Sequence, residues 1–149
     1  MDKTLVETSG KAATNDARMQ WEKGYLWEVS LSKAFAEKVA IRIGELSLDG
    51  ISMSPDGVSY DDDKGFVVEE YKCTAMSPDK SPAEVVRWMM QVKGYCKAVG
   101  TTKCVFRILH LAFVPVYKVW EITFTRQEID ENWEAITNHA RTMKGGPDD

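Results

Sequence analysis

The sequence predicts a single α/β domain in which α-helices pack on one mixed β-sheet. Short runs rich in Val, Ile, Phe and Tyr alternate along the chain with longer segments of helical periodicity. Two helices begin at capping boxes, at residues 81–84 and 125–128. The 149 residues are enough for one well-developed core and too few for two comfortable domains.

Composition and charge narrow the class of protein. Hydrophobic residues make up 44% of the chain and charged residues 28%, as in ordinary globular proteins. The net charge of −4 argues against a general nucleic-acid coat protein, because such proteins bind by neutralising phosphates. It does not exclude a nuclease, since bound cations reverse the charge of acidic metal ligands. With no signal peptide and no membrane-spanning run, we expect no membrane association and a cytoplasmic location, the host cytoplasm if the protein is viral.

The three cysteines, Cys73, Cys96 and Cys104, form no C-x-x-C pair. An odd number without that spacing predicts neither a disulfide framework nor a zinc site. We expect buried, reduced thiols.

The N-terminal part of the chain predicts an arm followed by a helix. Residues 1–18 are polar and lack apolar periodicity, so we expect a flexible arm before a domain spanning residues 19–144 and a tail at 145–149. Residues 19–43 have helical periodicity, with Glu28 in the middle of an apolar stripe. A carboxylate buried there needs a cationic partner, which is either a nearby Lys or Arg or a metal. The stripe comprises Trp21, Gly24, Leu31, Ser32, Phe35 and Val39.

The centre of the chain predicts a strand and then a β-hairpin. Residues 45–54 alternate like one strand that leads into Pro55 and Asp56. The polar, glycine-ended run at 60–65 joins two flanks rich in β-branched residues, which is typical of a hairpin turn.

This hairpin brings two carboxylates together. If Val58 pairs with Val68, Glu70 lies opposite Asp56, and directly opposed Cβ atoms are about 4.5–5.5 Å apart. Two negative charges at that distance require a cation. Lys72 shares a strand face with Glu70, whereas Glu69 points to the other face. A divalent metal such as Mg²⁺ is the second candidate.

The remaining elements complete the sheet and its helical cover. A helix is expected from the capping box at 81–84 to Val99, ended by Gly100. Strands follow at 103–111 and 116–124, and a last helix starts at the second capping box. We expect His110 to be structural, because no second His lies at metal-ligand spacing from it. The inward side chains of the helix that ends at Val99 are expected to be Val85, Trp88, Met89, Val92, Cys96 and Val99.

The central motifs resemble those of a known enzyme family. Asp56 preceded by Pro55, followed by Glu70-x-Lys72, resembles the PD-(D/E)XK nuclease signature. The Ser-Pro-Asp-Gly string at 54–57, Glu-x-Lys-Cys and a helix with Gln91 are similar to the branch that contains phage lambda exonuclease and viral recombination nucleases. The resemblance covers about residues 20–125 and implies a restriction-endonuclease-like core.

The resemblance also implies a metal centre. Mg²⁺ or Mn²⁺ would be held by Asp56, Glu70 and the Tyr71 carbonyl. Gly24-x-x-x-Glu28 resembles the helical motif of this family whose glutamate approaches the metal, with the glycine allowing close backbone approach.

Four further side chains receive roles from the resemblance. Lys72 would orient the attacking water, and Gln91 would face the site from its helix. Arg87 and Tyr95 are the candidates for contacts with DNA phosphates or bases.

The function implied is divalent-metal-dependent DNA hydrolysis. The lambda-type resemblance favours an exonuclease on duplex ends in phage-type recombination or repair. Its expected partners are a phage-type single-strand annealing recombinase and further copies in a homo-oligomer. The alternatives are a structure-directed or nicking endonuclease, and a module of the same fold that binds nucleic acid without cutting it.

Overall fold

The computed structural model describes residues 17–27, 29, 30, 33 and 43–144 of the chain. Helix α1 covers residues 17–27, and residues 29, 30 and 33 are also helical. The elements that follow are β1 (Leu46–Leu48), β2 (Ile51–Met53), β3 (Gly57–Asp61), β4 (Gly65–Thr74), α2 (Val86–Val99), β5 (Lys103–His110), β6 (Val116–Thr123) and α3 (Arg126–Lys144).

A four-stranded mixed sheet in the order β3-β4-β5-β6 forms the centre of the fold. β3 and β4 are antiparallel, β4 and β5 are parallel, and β5 and β6 are antiparallel. Parallel neighbours need a long crossover, and α2 supplies it between β4 and β5. The sheet and its helices confirm the predicted α/β fold class.

The core lies between one face of this sheet and helices α2 and α3. Side chains of β5 alternate, so that every second one is buried on the helical side. Phe106 stacks on Trp88 of α2 with ring centroids 6.2 Å apart. His110 is buried, and its Nδ1 lies 2.9 Å from the Met76 carbonyl oxygen, as expected for a structural histidine. Other members of the core are Val68, Met89, Val92, Cys96, Cys104, Ile108 and Ile129.

The single strand predicted at residues 45–54 is wrong. β1 and β2 instead form a separate antiparallel hairpin, with Leu48 opposite Ile51. The turn between them is Asp49-Gly50, and both residues have positive φ angles, 52° and 76°. An Asp-Gly pair suits the two-residue turn that matches the twist of the flanking strands.

The first capping box does not open an α-helix directly. Ser81 and Glu84 cap each other as predicted, but they cap a 3₁₀ turn over Pro82–Glu84. Val85 then takes an extended conformation, and α2 starts at Val86. The predicted end is confirmed, because Gly100 adopts the left-handed conformation that closes the helix.

The second capping box starts its helix as predicted. The Thr125 N–H donates to Glu128 Oε2 over 2.7 Å, and the Glu128 N–H donates to Thr125 Oγ1 over 3.1 Å. Ile129 and Trp133 of α3 are buried.

Helix α1 packs differently from the prediction. Trp21, expected to point inward, is 74% exposed, and Trp27 makes the contact with the sheet. Residues 17 and 18, which precede the predicted boundary, are already helical, and Ile43 is not helical. Residues 1–16 of the arm predicted at 1–18, the tail at 145–149 and the stripe residues Leu31, Ser32, Phe35 and Val39 lie outside the described residues.

All three cysteines are free thiols. Cys96 and Cys104 are buried as predicted, whereas Cys73 is half-buried. Burial raises the pKa of the Cys96 thiol to about 12. Within the described part of the chain, none of the helices has both the length and the apolar character of a membrane-spanning helix.

Truncation of the central core residue tests this packing. We expect Phe106→Ala to lower the free energy of unfolding by about 3–5 kcal/mol, because it removes a fully buried ring stacked on Trp88. Val119→Ala, on the neighbouring strand but exposed, is the control and should change it by less than about 1 kcal/mol. Urea denaturation measures both, and equal effects would contradict this description of the core.

Candidate active site

The β3–β4 hairpin positions Asp56 as the sequence predicts. Val58 pairs with Val68, and the ladder runs to Gly57 opposite Glu69. Asp56 immediately precedes β3, at the register position across from Glu70. Its Oδ2 accepts a hydrogen bond of 2.7 Å from the Tyr71 N–H. Asp56 therefore extends the ladder by one position through its side chain, just before the backbone pairing of β3 begins.

The Tyr71 carbonyl points to the same edge of β4. In an antiparallel ladder the N–H and C=O of one residue face the same neighbouring strand. Since the Tyr71 N–H faces Asp56, its carbonyl also faces the space beyond the end of β3. A carboxylate and a backbone carbonyl are thus available at this point.

Glu70 and Lys72 form an ion pair on the helical face of β4. Lys72 Nζ lies 3.0 Å from Glu70 Oε1, and the two side chains are only 20% and 4% exposed, respectively. A carboxylate this buried requires a cation or hydrogen bonds. The ammonium group is therefore the charge partner that the opposed carboxylates were expected to need.

Helix α2 brings Gln91 to this pair. Lys72 Nζ donates to Gln91 Oε1 over 3.3 Å and lies 5.4 Å from the centre of the Trp88 ring. Gln91 Nε2 donates to the Tyr95 hydroxyl over 2.8 Å. Gln91 therefore faces the site, and the hydroxyl of the buried Tyr95 accepts a hydrogen bond from its amide. The DNA contact of Tyr95 stays a prediction. Arg87 is exposed one turn before Gln91, and its DNA contact stays a prediction.

Helix α1 contacts the backbone of β4 at Lys72. Trp27 Nε1 donates a hydrogen bond of 3.0 Å to the Lys72 carbonyl oxygen, a contact that the sequence did not predict. Glu28 lies outside the described residues. The close approach expected at Gly24 is not seen, because a Cβ added there would meet no described atom within 4 Å.

The donor set suits a hard divalent cation. Asp56, Glu70 and the Tyr71 carbonyl offer oxygen ligands, which Mg²⁺ and Mn²⁺ prefer. Among residues 43–144 and the described part of α1, no three Asp, Glu, His or Cys side chains group into a complete metal site. A cation here would therefore keep several water ligands, as Mg²⁺ usually does.

A groove of about 450 Å³ opens beside these residues, a size within the usual range of small-molecule sites. Its walls combine polar and apolar side chains of the β1–β2 hairpin, α2 and α3. They include Ser52, Met53, Ser54, Met90, Gln91 and Ile136.

The other face of β4 carries a second buried polar group. Glu69 points there as predicted, and it accepts hydrogen bonds from Arg107 Nη2 at 3.1 Å and from the Tyr71 hydroxyl at 2.6 Å. Sequence reasoning missed Arg107, because nothing near it in the chain indicates its partner.

Comparisons with known proteins support the fold. No protein-family model matches the sequence, and a search of curated proteins found no relative. Among solved structures, the crystal structure of SSO0001 matches with a TM-score of 0.61 and 16% identity, over 95% of this chain and 69% of that one. LHK-Exo in complex with dAMP matches with a TM-score of 0.57 and 17% identity, over 85% and 74% of the two chains.

These matches define the class of fold as that of the lambda-exonuclease-like PD-(D/E)XK nucleases, as the sequence resemblance implied. One solved structure that shares this fold is the alkaline exonuclease LHK-Exo from Laribacter hongkongensis. Its structure under that name matches with a TM-score of 0.52 and 16% identity, over 84% of this chain and 72% of that one. At such identities the likeness concerns the fold alone.

Removal of the Lys72 charge tests the buried ion pair. We expect Lys72→Met to lower the free energy of unfolding by about 3 kcal/mol, because Glu70 is left buried without its cation. Lys97→Met is the matched control, since Lys97 and Asp130 form an exposed pair at 2.8 Å whose loss should matter by less than about 1 kcal/mol. If both variants unfold at the same urea concentration, Glu70 does not depend on Lys72.

Proposed function

We propose that this protein is a Mg²⁺- or Mn²⁺-dependent deoxyribonuclease that hydrolyses phosphodiester bonds. The observation that carries the proposal is the convergence of Asp56, Glu70, Lys72 and Gln91 at one end of the hairpin. The shared fold with an exonuclease supports it. LHK-Exo was crystallised with dAMP, which supports a nucleic-acid substrate for this chain as well.

Asp56, Glu70 and the Tyr71 carbonyl would hold the metal, and the family resemblance adds Glu28. When bound, the metal lowers the pKa of a coordinated water and stabilises negative charge on the phosphate and the leaving oxygen. Asp56 is already fixed by the Tyr71 N–H, so this ligand needs little reorganisation when the site is filled.

Lys72 is the proposed source of positive charge for transition-state stabilisation. Its ammonium is held beside Glu70 and over Trp88, where it would orient the attacking water and offset charge that develops on the phosphate. Gln91 restricts the position of that ammonium, and Tyr95 restricts Gln91.

We place the protein among exonucleases that act on duplex ends in phage-type recombination or repair. This finer proposal is supported by the sequence resemblance and by the alkaline exonuclease among the fold neighbours. Arg87, exposed beside the site, is the proposed phosphate contact. A single-strand annealing recombinase as partner, homo-oligomers and a cytoplasmic location remain predictions from the sequence.

Digestion of three DNA forms with Mn²⁺ tests this proposal. Linear duplex should be degraded, while closed circular duplex and single strands should survive. Asp56→Asn should slow degradation by at least about 100-fold, because loss of one ligand removes several kcal/mol of charge stabilisation and each 1.4 kcal/mol is about tenfold in rate. The matched control is Asp63→Asn in the exposed hairpin turn, which should cut normally.

The other outcomes separate the alternatives. Nicked or linearised circles that depend on Asp56 would identify an endonuclease. Absence of any cleavage, together with no rise in melting temperature on adding Mn²⁺, would leave a nucleic-acid-binding module, since a ligand that binds the native state raises its stability.

A further inference from the structure

A buried polar network occupies the face of the sheet opposite the candidate active site. It consists of Glu69 and Tyr71 of β4 and Arg107 of β5, and we call it the far-face network. Glu69 and Tyr71 are buried, although much of the described sheet around them on this face is exposed. Arg107 holds Glu69 with two donors, Nε at 3.3 Å and Nη2 at 3.1 Å.

Energetics argue against a purely stabilising role for the far-face network. Burying an ion pair seldom stabilises a protein more than apolar side chains of similar volume do. What such a pair does supply is geometry, because a bidentate guanidinium fixes its carboxylate in both direction and distance. Glu69 is adjacent in sequence to Glu70, so any shift of its backbone also moves Glu70.

Tyr71 connects the network to the candidate metal site. Its N–H donates to Asp56, its carbonyl faces the same edge of β4, and its hydroxyl donates to Glu69 Oε2 at 2.6 Å. A Cβ added to Gly57 would lie only 3.1 Å from that hydroxyl. The Tyr71 side chain therefore packs against the backbone of the residue that follows Asp56.

The hydroxyl keeps its proton, and so remains a donor. Burial and the hydrogen bond to Glu69 raise the pKa of Tyr71 well above its usual range. Arg107 stays charged: burial lowers the pKa of its guanidinium, but the hydrogen bonds to Glu69 and Tyr117 raise that pKa overall.

From these contacts we infer that Tyr71 is a positioning residue of the metal centre, and that its hydroxyl, anchored by Glu69 and Arg107 on the far face, sets the position of Asp56 and of its own carbonyl. This inference rests on the proposed function, because it assumes that a divalent cation binds there. Groups that orient metal ligands typically contribute 10–100-fold to metal affinity.

The test is Tyr71→Phe, which removes one oxygen and keeps the ring. We expect Mn²⁺ affinity, measured by isothermal titration calorimetry well below the melting temperature, to fall by about tenfold. The matched control is Tyr117→Phe. The Tyr117 hydroxyl accepts a hydrogen bond from Arg107 Nη1 at 3.4 Å, and within the described part of the chain it has no hydrogen bond to β4, so this variant should bind Mn²⁺ like the wild type.

A second variant guards against a misfolded Tyr71→Phe protein. Gly57→Ala removes no polar group but displaces the Tyr71 hydroxyl, so its Mn²⁺ affinity should also fall while its near-ultraviolet circular dichroism stays native. Unchanged Mn²⁺ affinity in both variants would overturn the inference and leave the nuclease proposal intact. A wild-type protein that binds no Mn²⁺ would overturn both.

Discussion

The hydrogen bond from the Tyr71 N–H to Asp56 is the contact on which the site depends. The pairing of β3 with β4 begins at Gly57, and this bond ties the preceding residue, Asp56, to β4 as well. With it, two carboxylates are held near each other at the end of the hairpin. Such an arrangement is unfavourable by itself, which explains why Lys72 sits against Glu70 and why a divalent cation is the natural further ligand.

The two faces of strand β4 carry two different polar clusters. Glu70 and Lys72 face the helices and the candidate active site, while Glu69 and Tyr71 face Arg107 on the other side. Because side chains alternate along a strand, a slip of one residue would exchange the two sets completely. Both faces therefore enforce the same register, and the buried Val68, which belongs to the core on the helical face, adds an apolar reason for it.

Sequence reasoning succeeded where the structure is determined locally. The hairpin register, the shared face of Glu70 and Lys72 and the end of α2 at Gly100 all follow from alternation or from turn chemistry within a few residues. It failed locally at the Asp49-Gly50 turn, which was taken as part of a strand, and at the first capping box, which opens a 3₁₀ turn instead of an α-helix.

The contacts that the sequence could not predict join distant parts of the chain. Arg107 and Glu69 are 38 residues apart, and Trp27 and Lys72 are 45 apart. A charged residue in an amphipathic strand, or a tryptophan on a helix, is compatible with many partners. Only the parallel pairing of β4 with β5 selects Arg107, and that pairing depends on how α2 crosses the sheet.

The hydrogen bond from the Tyr71 amide to Asp56 can be followed by nuclear magnetic resonance. Most amides of a central strand donate to a neighbouring backbone carbonyl, but the Tyr71 amide donates to a carboxylate. Hydrogen bonds to charged acceptors are shorter and stronger than those to neutral ones. The Tyr71 amide proton is therefore a native reporter whose resonance follows the charge and occupancy of Asp56, without any label placed in the site.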